Sequence, residues 1–486
     1  MNRREFLMAG GAFAGATMTS GVRAATGGAD KLAIFGGTPV MSLVEQEEAK
    51  HVFDWPIVNK AMREASDRVL ATRQMSGKNI AKEFEAKFCA WQGSKYALCC
   101  LNGTTALNTA FYCVGVGPGD EVICPSITMW ASCSGVVNLG GTVVFCDVKK
   151  DDFCIDPKSF EEHITPRTKA VVVVHYFAAP CDMDEIMRIA KKHGIKVIED
   201  VSHAQGGFYK GRKLGTIGDI GAMSMMSGKS FAIGEAGMFC TDNEEYIYKA
   251  RLWSSYARFD DVPKKMWART LNVPFGGIKN RLNQCTCAVG IEQLKKYDRE
   301  CAEIDKAMKY YHAGLESAGV KCIKMIYPKW ENSTKAGWYS TRAVYVPEAN
   351  KDVDVRVFAK ALIEETGKGY SAGCNFPLHW SSLYDDEDIF GNGKPPCRAG
   401  MRAGAPSPKE LWGKLPVSEI TNSICLGIPW FRNFGGDGGT FESYKPIIDR
   451  YIEATRKVCA HAAELKDYSG KADWAYWDGG WQRDIS

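Results

Sequence analysis

A chain of 486 residues is long enough for two or three domains, and its 45% hydrophobic and 24% charged composition is that of an ordinary globular protein. A formal charge of +4 is small for this length, so neither nucleic acid nor an anionic membrane is indicated, and no apolar run approaches the roughly 20 residues that span a bilayer. The 18 cysteines include no Cys-x-x-Cys pair and no zinc-like spacing, which argues for buried thiols and against a metal site or a disulfide framework.

Residues 1–25 read as a targeting segment. Arg3-Arg4 precede Phe6-Leu7 and a mildly apolar Gly/Ala-rich run, and Val22 and Ala24 offer small-residue positions for cleavage. This is the layout of a twin-arginine export signal, which places the mature chain in the periplasm or outside the cell. The plainer alternative is a disordered terminus with two chance arginines on a cytoplasmic protein. Residues 26–60 follow as an N-terminal arm.

From about Lys95 to Thr241, short apolar and β-branched runs alternate with helix-length segments. The predicted strands are Tyr96–Cys100, Glu121–Cys124, Thr142–Val148, Ala170–His175, Lys196–Asp200, Gly221–Met226 and Gly237–Thr241. Between them lie helical patterns at Thr105–Val114, Met129–Asn138 and Asp184–His193, with turns such as Gly117-Pro118-Gly119-Asp120. Strands apolar on both faces, alternating with helices, predict an α/β fold with a mostly parallel seven-stranded sheet sandwiched by helices, here over 61–283. Past Arg281 a long helix, Gln284 to Ala318, leads into a smaller α+β domain ending near 460. The remainder, 461–486, carries three tryptophans and reads as an extension packed on the body or on a partner chain.

Three stretches carry the chemistry. LNGTTAL (101–107) is a strand end, a turn and a helix start, where the amides of Gly103, Thr104 and Thr105 and two threonine hydroxyls can cradle an anion. An ordinary N-capped helix would look the same. KVIEDVSHAQGG (196–207) ends a strand on Asp200, at the edge where open sheets bind ligands, with His203 one turn further on. No Gly-x-Gly-x-x-Gly precedes that acid, so a dinucleotide site is disfavoured. In AMSMMSGKSFAIGEAG (222–237) a strand delivers Ser224 and then Lys229, a lysine in small, apolar company. A phosphate, a ring nitrogen and a carbonyl on one molecule would use all of these groups. Pyridoxal 5′-phosphate is such a molecule, with a lysine as its Schiff-base partner and an acid on its ring nitrogen.

The order Asn-Gly-Thr, Gly-Pro-Gly-Asp-Glu-Val-Ile, Ile-Glu-Asp-x-x-His-Ala, a serine five residues before the lysine, and Gly-Glu-x-Gly resembles the StrS/DegT family of sugar aminotransferases. These are fold type I pyridoxal-phosphate enzymes. The likeness runs from Gly36 to about Tyr297 and more loosely beyond. It implies that Lys229 forms the Schiff base, that Asp200 faces the pyridine nitrogen and that His203 lies near the cofactor's phenolic oxygen. It further implies that Gly103, Thr104 and Ser224 belong to the phosphate cradle.

The segment GGIKNRLNQCTCAVGIEQL resembles one that reaches into a neighbouring subunit's site, so Lys279, with Asn280 as the fallback, would meet the phosphate and the working unit would be a homodimer. Where relatives place an aromatic over the cofactor ring, PSITMW places Met129, with Trp130 next. The implied reaction moves an amino group from glutamate or glutamine to a keto sugar, a nucleotide-linked keto sugar or a keto-cyclitol. Alternatives are a sugar dehydratase on the same cofactor, which Lys229 argues against because such relatives carry histidine there, and a non-catalytic sugar-binding or sensory protein on the same fold.

Overall fold

The computed structural model describes residues 31–255, 258–268, 273, 275–276, 278–384, 408–434, 439–466 and 468. The expected export signal, and all of the C-terminal extension beyond Tyr468, lie outside the described residues. Seven strands form the main sheet: β1 (Tyr96–Cys100), β2 (Glu121–Pro125), β3 (Thr142–Cys146), β4 (Thr168–Val174), β5 (Lys196–Asp200), β6 (Ile220–Ser224) and β7 (Gly237–Thr241). Their order is β1-β7-β6-β5-β4-β2-β3. The pairs β2/β3, β2/β4, β4/β5 and β5/β6 are parallel, and β7 alone runs against both its neighbours. The sheet is therefore mostly parallel, and its central strands are buried on both faces, as apolar runs like Val171–Val174 demand. The third strand is shorter than its apolar run, because Val148 leaves the sheet to bridge Ile155.

The helices of the first half of the chain include α1 (Leu43–Val52), α2 (Lys60–Thr72), α3 (Asn79–Gln92), α4 (Gly103–Cys113), α5 (Ala131–Asn138), α6 (Pro157–Glu162), α7 (Met183–His193) and α8 (Glu244–Ser254). Their ends follow local chemistry. In α7, Asp184 and Glu185 sit in the first turn and Lys191, Lys192 and His193 in the last, matching the helix dipole, and Gly194 stops it at φ 69°.

The long helix expected from Gln284 to Ala318 is instead two, α9 (Gln284–Leu294) and α10 (Tyr297–Ser317). The break falls at Lys295-Lys296, where the buried Lys296 amine turns inward to Glu300 Oε1 at 2.6 Å and to the Ile57 carbonyl at 3.1 Å. A buried ammonium must find acceptors, and these bend the chain.

A second core surrounds a four-stranded antiparallel sheet, β8 (Ile323–Met325), β9 (Arg342–Tyr345), β10 (Ser371–Ala372) and β11 (Cys425–Gly427), with α10, α11 (Val355–Thr366) and a late helix, α12 (Phe441–Ala460). The N-terminal arm belongs to this core. Leu32, Met41, Ala49 and Val52 pack there, and the buried Glu365 carboxylate accepts from the Ala33 and Val40 amides at 2.8 Å and from Lys457 at 3.0 Å.

The two cores are joined beside the end of β2. The Leu378 amide donates to the Ser126 carbonyl, Ser126 Oγ lies 2.6 Å from His379 Nδ1, and His379 Nε2 lies 3.2 Å from Glu419. Among the described residues no helix is long and apolar enough to cross a membrane.

Candidate active site

The carboxyl ends of β1, β2, β4, β5 and β6 share one edge of the sheet, and the predicted site residues leave from them. After β1, Asn102 caps α4: its Oδ1 accepts from the Thr105 amide at 2.9 Å, and Thr105 Oγ1 accepts from the Asn102 amide at 3.3 Å. The cap leaves the amides of Gly103 and Thr104 without an acceptor among the described residues, at the positive end of the helix dipole. Gly103 lies hard against Ser224 at the end of β6. A Cβ at Gly103 would stand 2.7 Å from the Ser224 Cβ and 2.8 Å from its amide nitrogen. The two free amides at the start of α4 and Ser224 at the end of β6 are thus packed side by side, with no room for a side chain at position 103.

Asp200 ends β5 and is buried. Its Oδ2 accepts from Ser132 Oγ at 2.8 Å and its Oδ1 from the Ser202 amide at 3.0 Å. Ser132 is itself paired with Thr128 Oγ1 at 2.8 Å. Ser202 Oγ accepts from the Ser224 amide at 3.0 Å, tying the carboxylate's loop to the end of β6. These donors fix the carboxylate while its remaining lone pairs stay available to a cation.

Lys229 follows a turn in which its own amide donates to the Met226 carbonyl. The residue is 6% exposed, yet among the described residues its amine has neither a carboxylate partner nor a hydrogen-bond acceptor; its polar contact is the ring face of Tyr339, 4.2 Å from the centroid. Lysines buried to this degree ordinarily have an ion-pair partner, as Lys296 does with Glu300. The backbone around Lys229 is held on both sides. Trp55 Nε1 donates to the Lys229 carbonyl at 2.8 Å, and Ser230 Oγ donates to Gln205, whose Nε2 returns to the Ser224 carbonyl at 2.5 Å.

His203 stacks on Tyr176 with centroids 5.2 Å apart and meets Tyr339 edge-on at 4.7 Å. Its Nδ1 accepts from the Phe177 amide at 3.3 Å, so the neutral ring carries its proton on Nε2. Burial first, then the charges of Lys229 and Arg342, hold its pKa well below the usual histidine range. The neighbouring Phe177 and Ala178 have φ of 51° and 64°, strained values for residues with side chains.

Met129 and Trp130 lie between β2 and α5, both exposed, one turn from the Ser132 that holds Asp200. Lys279 is exposed as well. Asn280 is buried, accepting from the Leu101 amide at 2.7 Å and donating to the Thr105 carbonyl at 3.5 Å, so in this chain it frames the start of α4. Tyr339, Arg342, Trp55, Gln205 and Ser132 were not legible as site residues in the sequence. The first three come from segments far from the motif-bearing strands, and only docking of the second core brings them in. No cluster of three or more histidine, cysteine or acidic side chains suited to a metal ion occurs among the described residues.

The arrangement offers two free amides at a helix start, a fixed carboxylate, a neutral Nε2–H donor and an amine without an acceptor among the described residues, all at one sheet edge. Comparisons with known proteins identify the family. The sequence profile of the DegT/DnrJ/EryC1/StrS aminotransferase family matches residues 56–393. The chain is 37% identical over 242 residues to a GDP-perosamine synthase of Caulobacter vibrioides, covering 50% of this chain and 63% of that one. It is 36% identical over 342 residues to the spore coat polysaccharide biosynthesis protein SpsC of Bacillus subtilis, covering 69% of this chain and 85% of that one. Among solved structures, an aminotransferase from Psychrobacter cryohalolentis superposes with a TM-score of 0.68 at 27% identity, over 84% of this chain and 99% of that one.

Proposed function

Because the chain belongs to the DegT/DnrJ/EryC1/StrS aminotransferase family, we propose that it is a pyridoxal 5′-phosphate-dependent aminotransferase acting on a sugar-like ketone. The amino donor is an amino acid, glutamate or glutamine. The acceptor is a keto sugar, a nucleotide-linked keto sugar or a keto-cyclitol, a class supported by the perosamine synthase among its relatives. The observation that carries this reading is the Lys229 amine, buried and without an acceptor among the described residues, at the same edge as Asp200 and the Gly103–Ser224 contact.

The residues fit the cofactor group by group. The free amides of Gly103 and Thr104, with Ser224, suit its phosphate, and there is no room for a Cβ at Gly103. Asp200, held by Ser132 and Ser202, suits its ring nitrogen, and the Nε2–H of His203 suits its phenolic oxygen. When bound, pyridoxal phosphate supplies an electron sink for the bond broken at the donor's α-carbon. Lys229 Nζ takes the proton from that carbon and gives it up again, acting as base and then acid. The Asp200 carboxylate, held by Ser132 and Ser202, would face the ring nitrogen, and the rings of Tyr176, Phe177 and Tyr339 pack around His203.

The working unit is proposed to be a homodimer. Leu101, just before α4, and Phe275 and Ile278, close to Lys279 in sequence, are exposed apolar side chains of the kind a second copy would cover, bringing Lys279 toward the partner's site. Export through the twin-arginine route is proposed from Arg3-Arg4 and the segment behind them, and cell fractionation of Arg3→Lys/Arg4→Lys against the unaltered chain tests it.

The reaction is tested by the visible spectrum of the purified protein. A yellow band that L-glutamate or L-glutamine bleaches, and that Lys229→Ala lacks, is the expected result. A colourless protein that takes up no added pyridoxal phosphate would sink the enzyme and leave a binding fold.

A further inference from the structure

Two thiols of the second core face one another, and none of the roles above uses them. Cys322 lies just before β8 and is buried. Its carbonyl accepts from the Val346 amide at 2.8 Å, which carries the β8/β9 ladder one residue further and fixes its backbone. Cys459 lies one residue before the end of α12 and is partly exposed. The two stand 137 residues apart in the chain, yet their Sγ atoms are 3.6 Å apart, and neither thiol has another hydrogen-bond partner among the described residues. Tyr311 and Tyr345, ionisable side chains in the field of both thiols, are held neutral by burial. Other thiols also touch, but Cys99 and Cys287, Cys124 and Cys133, and Cys154 and Cys181 are buried on both sides, out of an oxidant's reach. Contact between the sulfurs and access to one of them thus coincide at Cys322 and Cys459.

We propose that Cys322 and Cys459 are a modification site, a thiol pair that an external disulfide converts to a cross-link clamping the last turn of α12 to the sheet of the second core. The inference stands apart from the aminotransferase reading. A disulfide holds its sulfurs at about 2.05 Å, so these two must close by about 1.5 Å, which small rotations of two side chains cover. The oxidant is a small disulfide of the oxidised glutathione class. The partly exposed Cys459 thiolate attacks one of its sulfurs, breaking that S–S bond and releasing one thiol. Cys322 then attacks the Cys459 sulfur and releases the second. Two cysteine thiols are oxidised, one external disulfide is reduced to two thiols, and two protons pass from the cysteines to the released thiols. The adjoining Cys322 thiol, then burial, hold the Cys459 pKa above the usual thiol range, so exchange is slow at neutral pH and quickens in alkali. The clamp falls where α12 meets the N-terminal arm: Lys457, two residues earlier, donates to the Thr38 carbonyl at 2.9 Å and to Glu365 at 3.0 Å. Joining residues so far apart in the chain restricts the unfolded state, so the oxidised protein is the more stable form.

The test incubates the purified full chain with oxidised glutathione at mildly alkaline pH, or with dithiothreitol, then blocks the remaining thiols with N-ethylmaleimide and digests the protein. Mass spectrometry should show a peptide pair joined through Cys322 and Cys459 in the oxidised sample alone. Thiol titration in denaturant should find two fewer than the 18 of the reduced chain. The oxidised protein should melt about 5–10 °C above the reduced one, and Cys459→Ser should abolish both the cross-link and the rise. An unchanged thiol count would overturn the assignment. So would a cross-link between other cysteines in place of this one, Cys374 to Cys425 included, or a glutathione adduct that stays on Cys459. The mass spectrum is read on the unaltered chain, so the outcome is decided even if Cys459→Ser fails to fold.

Discussion

The ring of Tyr339 covers the amine of Lys229, with Nζ 4.2 Å from its centroid, and the same ring meets His203 at 4.7 Å. Its flanking residues, Trp338 and Ser340, have φ of 51° and 53°. Left-handed backbone at non-glycine residues costs on the order of 1 kcal/mol or more each, and persists only where the surroundings hold it. Here Trp338 Nε1 donates to Asp305 at 3.0 Å and the Gly337 carbonyl accepts from Trp430 at 2.9 Å. The strain therefore serves to present one ring to one amine. Tyr339→Phe keeps the face and should leave the donor half-reaction near its original rate. Tyr339→Ala should slow it by about 3- to 30-fold, the range a cation–π contact can supply. Stopped-flow bleaching of the visible band measures both, and equal rates in the two variants would mean the contact is idle.

Gly103→Ala should release the cofactor. The added Cβ would stand 2.7 Å from the Ser224 Cβ, closer than van der Waals contact, so either α4 or the end of β6 must shift. Overpacking of this kind costs roughly 1–3 kcal/mol, and the shift disturbs the amides meant for the phosphate. Dialysis followed by the visible spectrum should show faster loss of colour together with a lower melting temperature. A lower melting temperature with full retention of colour would place the phosphate elsewhere.

Lys335 gives the stability an alkaline limb. It is 1% exposed, its amine donates to the Ile326 carbonyl at 3.0 Å, and burial pushes its pKa down from 10.5 to about 7. Below pH 7 both states carry the proton and the full cost of burying the charge is present. Between pH 7 and 10.5 the unfolded chain binds more protons than the folded one, so stability rises with pH. The slope from this one group is at most about 1.4 kcal/mol per pH unit. Denaturant titrations at pH 7, 8 and 9 should show the rise, and Lys335→Met should abolish it while raising stability at pH 6. A parallel rise in the variant would assign the limb to other groups.

His203 acts on the acid side. With its folded pKa held well below the ordinary 6.5 by burial and by the charges of Lys229 and Arg342, the unfolded chain gains the proton first as pH falls. Stability from this group is therefore full above pH 6.5 and is lost progressively below it. His203→Gln removes the difference, so melting temperatures measured from pH 7.5 to 5 should fall less steeply in the variant than in the unaltered protein. Identical slopes would contradict the assignment.

The framework of the large domain was legible because its signals are local. Apolar runs such as Ala170–Val174, bounded by turn residues, can only be buried strands, and Asn102 three residues before Thr105 marks a capped helix. That Asp200, Ser224 and Lys229 would leave one edge of the sheet could be read from the sequence, because strand ends in an open parallel sheet point at a common edge. What escaped was set by contacts between distant segments. Tyr339 and Arg342 lie in a stretch, KAGWYSTR, whose own pattern announces neither strand nor site, and they acquire their neighbours only through the seat of the second core. The break at Lys296 was hidden for the same reason: the carbonyl of Ile57 that draws the amine inward is remote in sequence.

The N-terminal arm has a mechanical consequence. It is rooted in the second core through Met41, Val52 and the amides held by Glu365, and it then crosses to the sheet, where Trp55 grips the Lys229 carbonyl while resting against Trp430, the centroids 5.8 Å apart. The arm is thus a drawstring threaded through both halves of the molecule and fastened to the backbone at Lys229, so the seat of the second core and the position of that lysine's carbonyl are set by one and the same segment of chain.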